Sequence, residues 1–511
     1  METVNEILEA SSRKYPTKTA IIFEDRRITY EEVEKSANQC AHGLMTLGIK
    51  RGDMVGILIP NCPEFIVAYF GILKSGATVV PMNPTLSGDE LAYMMKDATV
   101  KAVFTLPPLL PLLQKLSPQV KHLTHLIIRG DETSDEAISF SSLVQGKEST
   151  PPGIRVGSDE TAVCIYTSGT TGSPKGALLT HRNLLANVNS VLQVFPVDAS
   201  DVFTCILPLF HAYSAMASLL CPFALGAGAV VTERFIPRKC LQMIQDHRIT
   251  VFVGVPALFA VLTQIKNPRE FDLTSWRFCV SGGAPLWSEI LTLFETMYPV
   301  KIYEGDGPTE CSPVTSVNPI GGKRKVGSIG LPLPDVGMKI VDEHDNELPP
   351  EHVGEIVVRG PNVMKGYLNQ PEATKESLRN GWFHTGDIGK MDHEGYFYIL
   401  DRKKDMLIVG GLNVYSQEVE KVLLSHPQVA EAAVVGRPDK LRGEVPRAYV
   451  VLREEEKVDP DDLIRHCREH LAPYKVPRDI TVVQGFPKTA TGKVMKWKLS
   501  YKGVRSTLLT I

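Results

Sequence analysis

The chain has no Cys-x-x-Cys pair, no surplus of positive charge and no Gly-x-x-x-x-Gly-Lys-Ser/Thr loop. Each absence excludes something. Nine cysteines are scattered from Cys40 to Cys467, an odd number, several in apolar runs. This argues against a disulfide framework or a zinc site and for a reducing, cytoplasmic setting. A formal net charge of -3 gives no basic field for nucleic acid. The first residues, Met1-Glu2-Thr3-Val4-Asn5-Glu6, are acidic with no apolar core behind them, so no signal peptide is expected. Charge is missing locally too, because 202–232 holds no Asp, Glu, Lys or Arg. That length would span a membrane, but Pro208, His211, Pro222, Gly226 and Gly228 break it up. It reads as a buried helix between two core strands. No membrane span is expected; loose peripheral association and a homodimer stay open.

What is present is an ordinary globular composition, 43% hydrophobic and 22% charged, long enough at 511 residues for two or three domains. The chain is organised around Tyr166-Thr167-Ser168-Gly169-Thr170-Thr171-Gly172-Ser173-Pro174-Lys175-Gly176. An apolar strand-like run, 161–166, precedes it, and Ala177-Leu178-Leu179-Thr180-His181 leads on towards a helix. Glycines let backbone N–H groups turn inward, and hydroxyls beside them complete an anion cradle. The lysine adds a point charge. A Ser/Thr/Gly surface linker is the plainer alternative, but the fixed place after a strand and the embedded Pro-Lys-Gly favour a phosphate loop of a different type from the Walker loop.

Around this loop the pattern alternates strand and helix, as in parallel sheets covered by helices. The halves before and after it read as two doubly wound layers, whose ligands sit beyond the carboxyl ends of the strands. Residues 131–158 are polar and read as a surface loop. From Gly327 short alternating strands suggest a small β-rich subdomain. The charged run Asp401-Arg402-Lys403-Lys404-Asp405 reads as a solvated hairpin turn or a domain linker. The expected fold is α/β: a large N-terminal domain, 1–400, of two doubly wound layers plus the β-rich subdomain, then a small mobile α+β domain, 401–511.

Three further clusters carry chemistry. In Gly305-Asp306-Gly307-Pro308-Thr309-Glu310 a hydroxyl beside a carboxylate suits Mg²⁺ on a nucleotide, although Thr-Glu pairs are common at helix starts. In Phe383-His384-Thr385-Gly386-Asp387 the acid after a turn suits ribose hydroxyls; a simple Asp turn is the commoner fact. Lys493, in Thr491-Gly492-Lys493, would ordinarily be a solvated lysine.

In this order, with Asp401-Arg402-Lys403-Lys404-Asp405 between the third and the last, the motifs resemble those of the adenylate-forming superfamily, over nearly the whole chain. Within it the chain is most similar to bacterial fatty-acid–CoA ligases, through Gly360-Pro361-Asn362-Val363-Met364-Lys365-Gly366-Tyr367 and Val409-Gly410-Gly411-Leu412-Asn413-Val414-Tyr415. The resemblance implies two steps. A carboxylate attacks the α-phosphate of ATP to give acyl-AMP and pyrophosphate; after a domain rotation the CoA thiol displaces AMP. It implies that Thr167, Ser168, Gly169, Thr170, Thr171, Gly172 and Lys175 bind the β- and γ-phosphates. Thr309 and Glu310 would hold phosphate and Mg²⁺, with Thr170 also at the metal. Asp387 and Arg402 would take ribose, Lys404 would be the hinge and Lys493 the lysine of adenylation. A positioned cation there stabilises charge as pyrophosphate leaves. Gly410 and Gly411 would line the CoA tunnel. Gly283, Ala284 and Pro285, with Gly307, would wall the adenine.

One position departs from the family pattern: Asp306 stands where an aromatic ring usually packs on adenine, and a carboxylate cannot stack. The acid is expected beside 208–216, with His211 near its carboxylate or simply packed there. Small Ala212, Ala215, Ala217 and Gly226 suit an apolar chain or a flat ring. A medium- or long-chain fatty acid is the favoured substrate and an aryl acid the alternative; apolar pockets discriminate poorly per methylene. An acyl-AMP ligase that loads a carrier protein is disfavoured, because no unexplained insertion lies between Lys175 and Asp401. A luciferase-like oxygenase has no support in the residues, and a catalytically dead scaffold is opposed by Glu310, Asp387 and Lys493.

Overall fold

A computed structural model of the chain describes residues 1–131, 137–167, 174–410, 412–439, 441–453, 456, 458–489 and 492–499. The chain forms two compact units, one of Met1–Met338 with Val358–His384 and one of Lys339–Val357 with Thr385–Ile511. The architecture is mixed α/β, as the alternating pattern predicts.

Local signals set the elements. Thr29 accepts from the Glu32 N–H while the Glu32 carboxylate takes the Thr29 N–H, a reciprocal cap that opens the helix Tyr30–Thr46. Ser87 and Glu90 do the same for Gly88–Asp97. The strands Thr78–Pro81, Ala102–Thr105 and Val251–Gly254 are buried along their whole length, which is why they read as unbroken apolar runs.

The larger unit carries two sheets. The first runs Gly366–Tyr367, Lys175–Thr180, Thr161–Thr167, Thr78–Pro81, Met54–Ile57, Ala102–Thr105, His125–Ile128, Ile138–Ser139. The second runs Leu331–Pro332, Ser316–Val317, Ile302–Asp306, Phe278–Ser281, Val251–Gly254, Val202–Cys205, Gly228–Val231, Thr19–Phe23, Arg26–Thr29. Two layers are present, but the phosphate loop does not divide them. Thr19–Phe23 pairs in parallel with Gly228–Val231 in the second sheet. Lys175–Thr180, after the loop, pairs antiparallel with Thr161–Thr167 in the first. The reason is local: Lys175-Gly176-Ala177-Leu178-Leu179-Thr180 has its own strand pattern, and Thr180 caps the helix His181–Val194 only after it ends.

The charge-free stretch is buried helix between the strands Val202–Cys205 and Gly228–Val231, as expected. Among the described residues no helix is long and apolar enough to cross a membrane. Residues 131–158 differ from the expected loop. Ser139 accepts from the Ser142 N–H and starts a short helix, Phe140–Val144, whose Leu143 is buried. Five residues of helix with one apolar anchor give too short a period to be seen in a polar sequence.

The smaller unit has its own core, with Leu407, Val414, Val419, Val434, Ala448 and Leu463 among its buried residues. Its sheet runs Leu412–Val414, Leu407–Val409, Gly443–Leu452, Val429–Asp439, with Asp479–Val482 also on Gly443–Leu452. The charged run 401–405 is not a hairpin turn. Phe397–Arg402 pairs with Trp382–Met391, whereas Leu407–Val409 pairs with Leu412–Val414 and Gly443–Leu452. The run connects two different sheets.

Candidate active site

In the larger unit Thr167 and Lys175, the two ends of the expected phosphate loop, are cross-strand partners. Ser168, Gly169, Thr170, Thr171 and Gly172 lie outside the described residues. The ends are tied down. Tyr166 donates its hydroxyl to Asp97 Oδ2 at 2.6 Å, and Tyr93 donates to the Pro174 carbonyl at 3.1 Å. Thr167 Oγ1 donates to Glu310 Oε1 at 3.3 Å. The Lys175 ammonium lies over the Tyr367 ring, 5.2 Å from its centre, and the Tyr367 hydroxyl donates to Glu310 Oε1 at 2.8 Å. Three separated segments therefore meet at one carboxylate.

Thr309 and Glu310 sit in a short 3-10 turn, Thr309–Cys311. Met364 donates its N–H to the Glu310 carbonyl at 2.7 Å, and Asn362 reaches the Cys311 carbonyl at 2.9 Å. Gly307 is required by space, since a Cβ there would lie 1.6 Å from the Pro313 carbonyl oxygen. Asp306 ends the strand Ile302–Asp306, and its carbonyl accepts from the Thr315 N–H and hydroxyl.

Gly283, Ala284 and Pro285 follow the strand Phe278–Ser281. Gly283 has φ +80°, a conformation that favours glycine. The neighbouring Leu286 N–H donates to Glu304 Oε1 at 3.2 Å. Burial above all pushes the Glu304 carboxyl up to about 7, with Asp306 adding in the same direction.

His211 stacks obliquely on Phe210, with ring centres 4.7 Å apart. Its Nε2 is buried with no hydrogen-bond partner among the described residues, and burial lowers the imidazole to about 4. A small, mainly apolar cavity is lined by Ile165, Leu209, Ala212, Ala215, Met216 and Leu220, with Tyr69 and Ser312 among its other lining residues. Ala215–Leu220 is a π-turn inside the helical stretch, a distortion frequent at functional sites. Gly226 is not part of this cavity. It ends the helix Cys221–Leu225 with φ +73°, and a Cβ there would strike the Tyr15 ring at 2.3 Å. Ala217 packs instead against the core around the second sheet.

Asp387, Arg402, Lys404, Gly410 and Lys493 all belong to the smaller unit. Asp387 and Arg402 are cross-strand partners, and Arg402 Nε lies 2.8 Å from Asp387 Oδ1. Gly386, at φ +73°, bends the chain before Asp387. Lys404 is exposed in the connector between sheets. Gly410 has φ +58° and open space where a Cβ would be; Gly411 lies outside the described residues. Lys493 stands in a turn in which the Thr489 N–H donates to the Lys493 carbonyl and the Lys493 N–H donates to Thr489 Oγ1. It keeps an exposed flank, but the protein packed around its ammonium, and then Arg402, lower it to about 8, with Asp387 opposing.

The predicted residues thus fall into two groups, one per unit. Tyr367, Tyr166, Asp97 and Glu304 carry no role in the sequence reading. Tyr166 opens the loop motif and Tyr367 closes the Gly360-to-Tyr367 motif, so both are legible as parts of motifs; Asp97 and Glu304 carry no local signal.

Residues 8–368 match the AMP-binding enzyme family model and residues 418–493 match the model of the AMP-binding enzyme C-terminal domain. A long-chain-fatty-acid–CoA ligase of Bacillus subtilis (strain 168) is 38% identical over 528 residues, covering 98% of this chain and 94% of that protein. Among solved structures, an anthranilate CoA ligase in complex with anthranoyl-AMP superposes with TM-score 0.90 at 30% identity, covering 97% of this chain and 96% of its own. ATP-bound MatB from Rhodopseudomonas palustris superposes with TM-score 0.90 at 31% identity, covering 97% and 98%. With both family models matched in order along its length, the chain belongs to the AMP-binding enzyme family.

Proposed function

We propose that the protein is an ATP-dependent acid–CoA ligase whose substrate is a medium- or long-chain fatty acid. The observation that carries the substrate class is the mainly apolar lining of a small cavity, to which Ile165, Leu209, Ala212, Ala215, Met216 and Leu220 contribute. Apart from Tyr69 and Ser312 its lining is apolar, and an alkyl chain that widened the cavity would meet dispersion contacts along it. The likeness to the Bacillus subtilis long-chain-fatty-acid–CoA ligase supports the same reading.

The chemistry runs in two steps. A carboxylate oxygen attacks the α-phosphorus of ATP, the bond to the bridging oxygen breaks, and pyrophosphate leaves. The CoA sulfur then attacks the acyl carbonyl, and AMP leaves with the electron pair of the C–O bond. Thr167, Lys175 and the loop between them would bind the outer phosphates. Glu310 and Thr309 are hard oxygen donors of the kind Mg²⁺ takes. Glu310 with Thr170 would hold that ion, which neutralises phosphate charge when bound. Asp387 and Arg402 would take ribose; Gly283, Ala284, Pro285, Asp306 and Gly307 would take adenine. Lys493 would stabilise charge on the leaving pyrophosphate, and residues 401–511 would move about Lys404 between the steps, bringing Gly410 and Gly411 to CoA.

An aryl acid is the second reading, favoured by the likeness to the anthranilate CoA ligase and by the small Ala212 and Ala215 at the cavity. The test is CoA-dependent AMP release over saturated fatty acids of graded length beside benzoate, anthranilate and ferulate. A maximum in kcat/KM among the fatty acids is expected. A maximum among the aryl acids would replace the reading, and no turnover of any acid would remove it.

A further inference from the structure

Three residues beyond Lys493, the partly buried Lys496 lies among acids. Lys496 Nζ lies 2.6 Å from Glu420 Oε1 and donates to Ser416 Oγ at 2.6 Å. Ser416 Oγ in turn donates to Asp401 Oδ1 at 3.1 Å, and the Ser416 N–H donates to Asp401 Oδ2. Asp401 Oδ1 also accepts the Arg402 N–H at 2.7 Å, and Glu420 Oε1 accepts the Val434 N–H at 2.8 Å. Asp401, Ser416 and Glu420 are 1%, 0% and 6% exposed. A single ammonium so placed balances buried carboxylates on two different elements, the strand Phe397–Arg402 and the helix Ser416–Leu424. Burial pushes Glu420 up to about 6 and Asp401 up as well, and Lys496 offsets both.

The position matters more than the ion pair itself. One end of the network is Asp401, the residue before Arg402, whose guanidinium meets Asp387. The other is Lys496, at the start of the 3-10 turn Lys496–Lys498 that closes the Lys493 segment. Below it, Leu499 is buried and its carbonyl accepts the Tyr449 hydroxyl at 3.2 Å. We propose that Lys496 is a positioning residue: through Glu420, Ser416 and Asp401 it holds the segment of Lys493 in register with the strand that carries Arg402 during the adenylation step. The proposal rests on the assignment of Lys493 to adenylation. Removing one partner of a buried pair leaves an uncompensated charge, so the segment is the part free to shift.

The test uses the full-length protein and two half-reactions: ATP–pyrophosphate exchange with dodecanoate, and thioester formation from supplied dodecanoyl-AMP and CoA. Lys496→Met should lower exchange by about 100-fold while thioester formation stays within about threefold, because misplacing a charge-stabilising group costs mainly the step that develops the charge. Lys496→Arg, which keeps the cation, should restore exchange to within about fivefold of the parent. Glu420→Gln, which keeps the acceptor for Val434, should show the same split more weakly and guards against a Met variant that does not fold. Equal loss in both half-reactions with a lowered unfolding midpoint would overturn the proposal in favour of a purely structural role. So would unchanged exchange in Lys496→Met beside a dead Lys493→Ala. If Lys493→Ala itself exchanges normally, the assignment of Lys493 fails and the proposal fails with it.

Discussion

Glu310, in the larger unit, accepts hydrogen bonds from the Thr167 and Tyr367 hydroxyls; Lys493, in the smaller, has Arg402 and Lys404 for neighbours. The first charge is satisfied by neutral donors before any ligand arrives. The second is lowered by burial and by like charge, with Asp387 and Asp405 opposing. A carboxylate already partnered has little to gain from rearranging, which suits a fixed point of attachment. An ammonium that is poorly partnered gains most when an anion approaches. The difference separates a part built to hold from a part built to respond.

The comparison breaks most plainly at Lys493. Lys493→Ala should lower ATP–pyrophosphate exchange by about 1,000-fold, the upper range for losing one group that stabilises developing charge. Thioester formation from supplied acyl-AMP should change little; equal losses in both half-reactions would erase the distinction between the two regions. Next is acid stability of the larger unit. His181 is buried, its Nδ1 accepts the Val4 N–H, and burial lowers it from 6.5 to about 4. The unfolded chain therefore binds the extra proton between those values, so stability is full above pH 6.5 and falls as pH drops towards 4, by up to about 3 kcal/mol. Urea midpoints at pH 7.5 and 5 check this, and His181→Gln should flatten the dependence.

At the other end of the pH scale, the Lys493 ammonium deprotonates near 8 rather than 10.5. Exchange measured as kcat/KM should fall about tenfold per pH unit above that value if the free enzyme needs the cation. A flat profile to pH 10 would show that Lys493 stays charged or that its charge is not used. The smallest effect is expected at Tyr367. Tyr367→Phe removes one donor to Glu310 and leaves the ring beneath Lys175, so exchange should fall only about fivefold, the worth of roughly one hydrogen bond. A loss as large as that of Lys493→Ala would mean that Glu310 is not held in advance.

Much of this was legible in the residues, unevenly. The strands Thr78–Pro81 and Phe278–Ser281 and the capped helix Tyr30–Thr46 announce themselves, because burial on both faces and reciprocal caps leave local patterns. The glycine turns at Gly283 and Gly307 do so too, one by positive φ and one by close approach. The pairing of Thr19–Phe23 with Gly228–Val231 is not local, and no pattern in either strand names the other. Glu304 reads like any polar residue in a strand; the Leu286 N–H, 18 residues back, and the Gly327 N–H show what it holds. Gly226 misled for the opposite reason, since a small residue beside apolar ones fits a pocket wall and a helix end equally, and the Tyr15 ring decides between them. Lys493 and Lys496 lie three residues apart; the order of the motifs marks the first, while nothing in the sequence distinguishes the second from a solvated lysine.

The hairpin at the phosphate loop has a consequence for engineering. Because Thr167 and Lys175 are paired across two antiparallel strands, the register of the sheet is set below them, from Thr161↔Thr180 upwards. Residues can then be added or removed between the two strands without turning any side chain of the ladder to the other face. A loop joining a strand directly to a helix would not allow this, since each added residue would rotate the helix by about 100°. A change in the length of the connection is therefore taken up above Thr167 and Lys175, and the ladder that carries these two residues keeps its register.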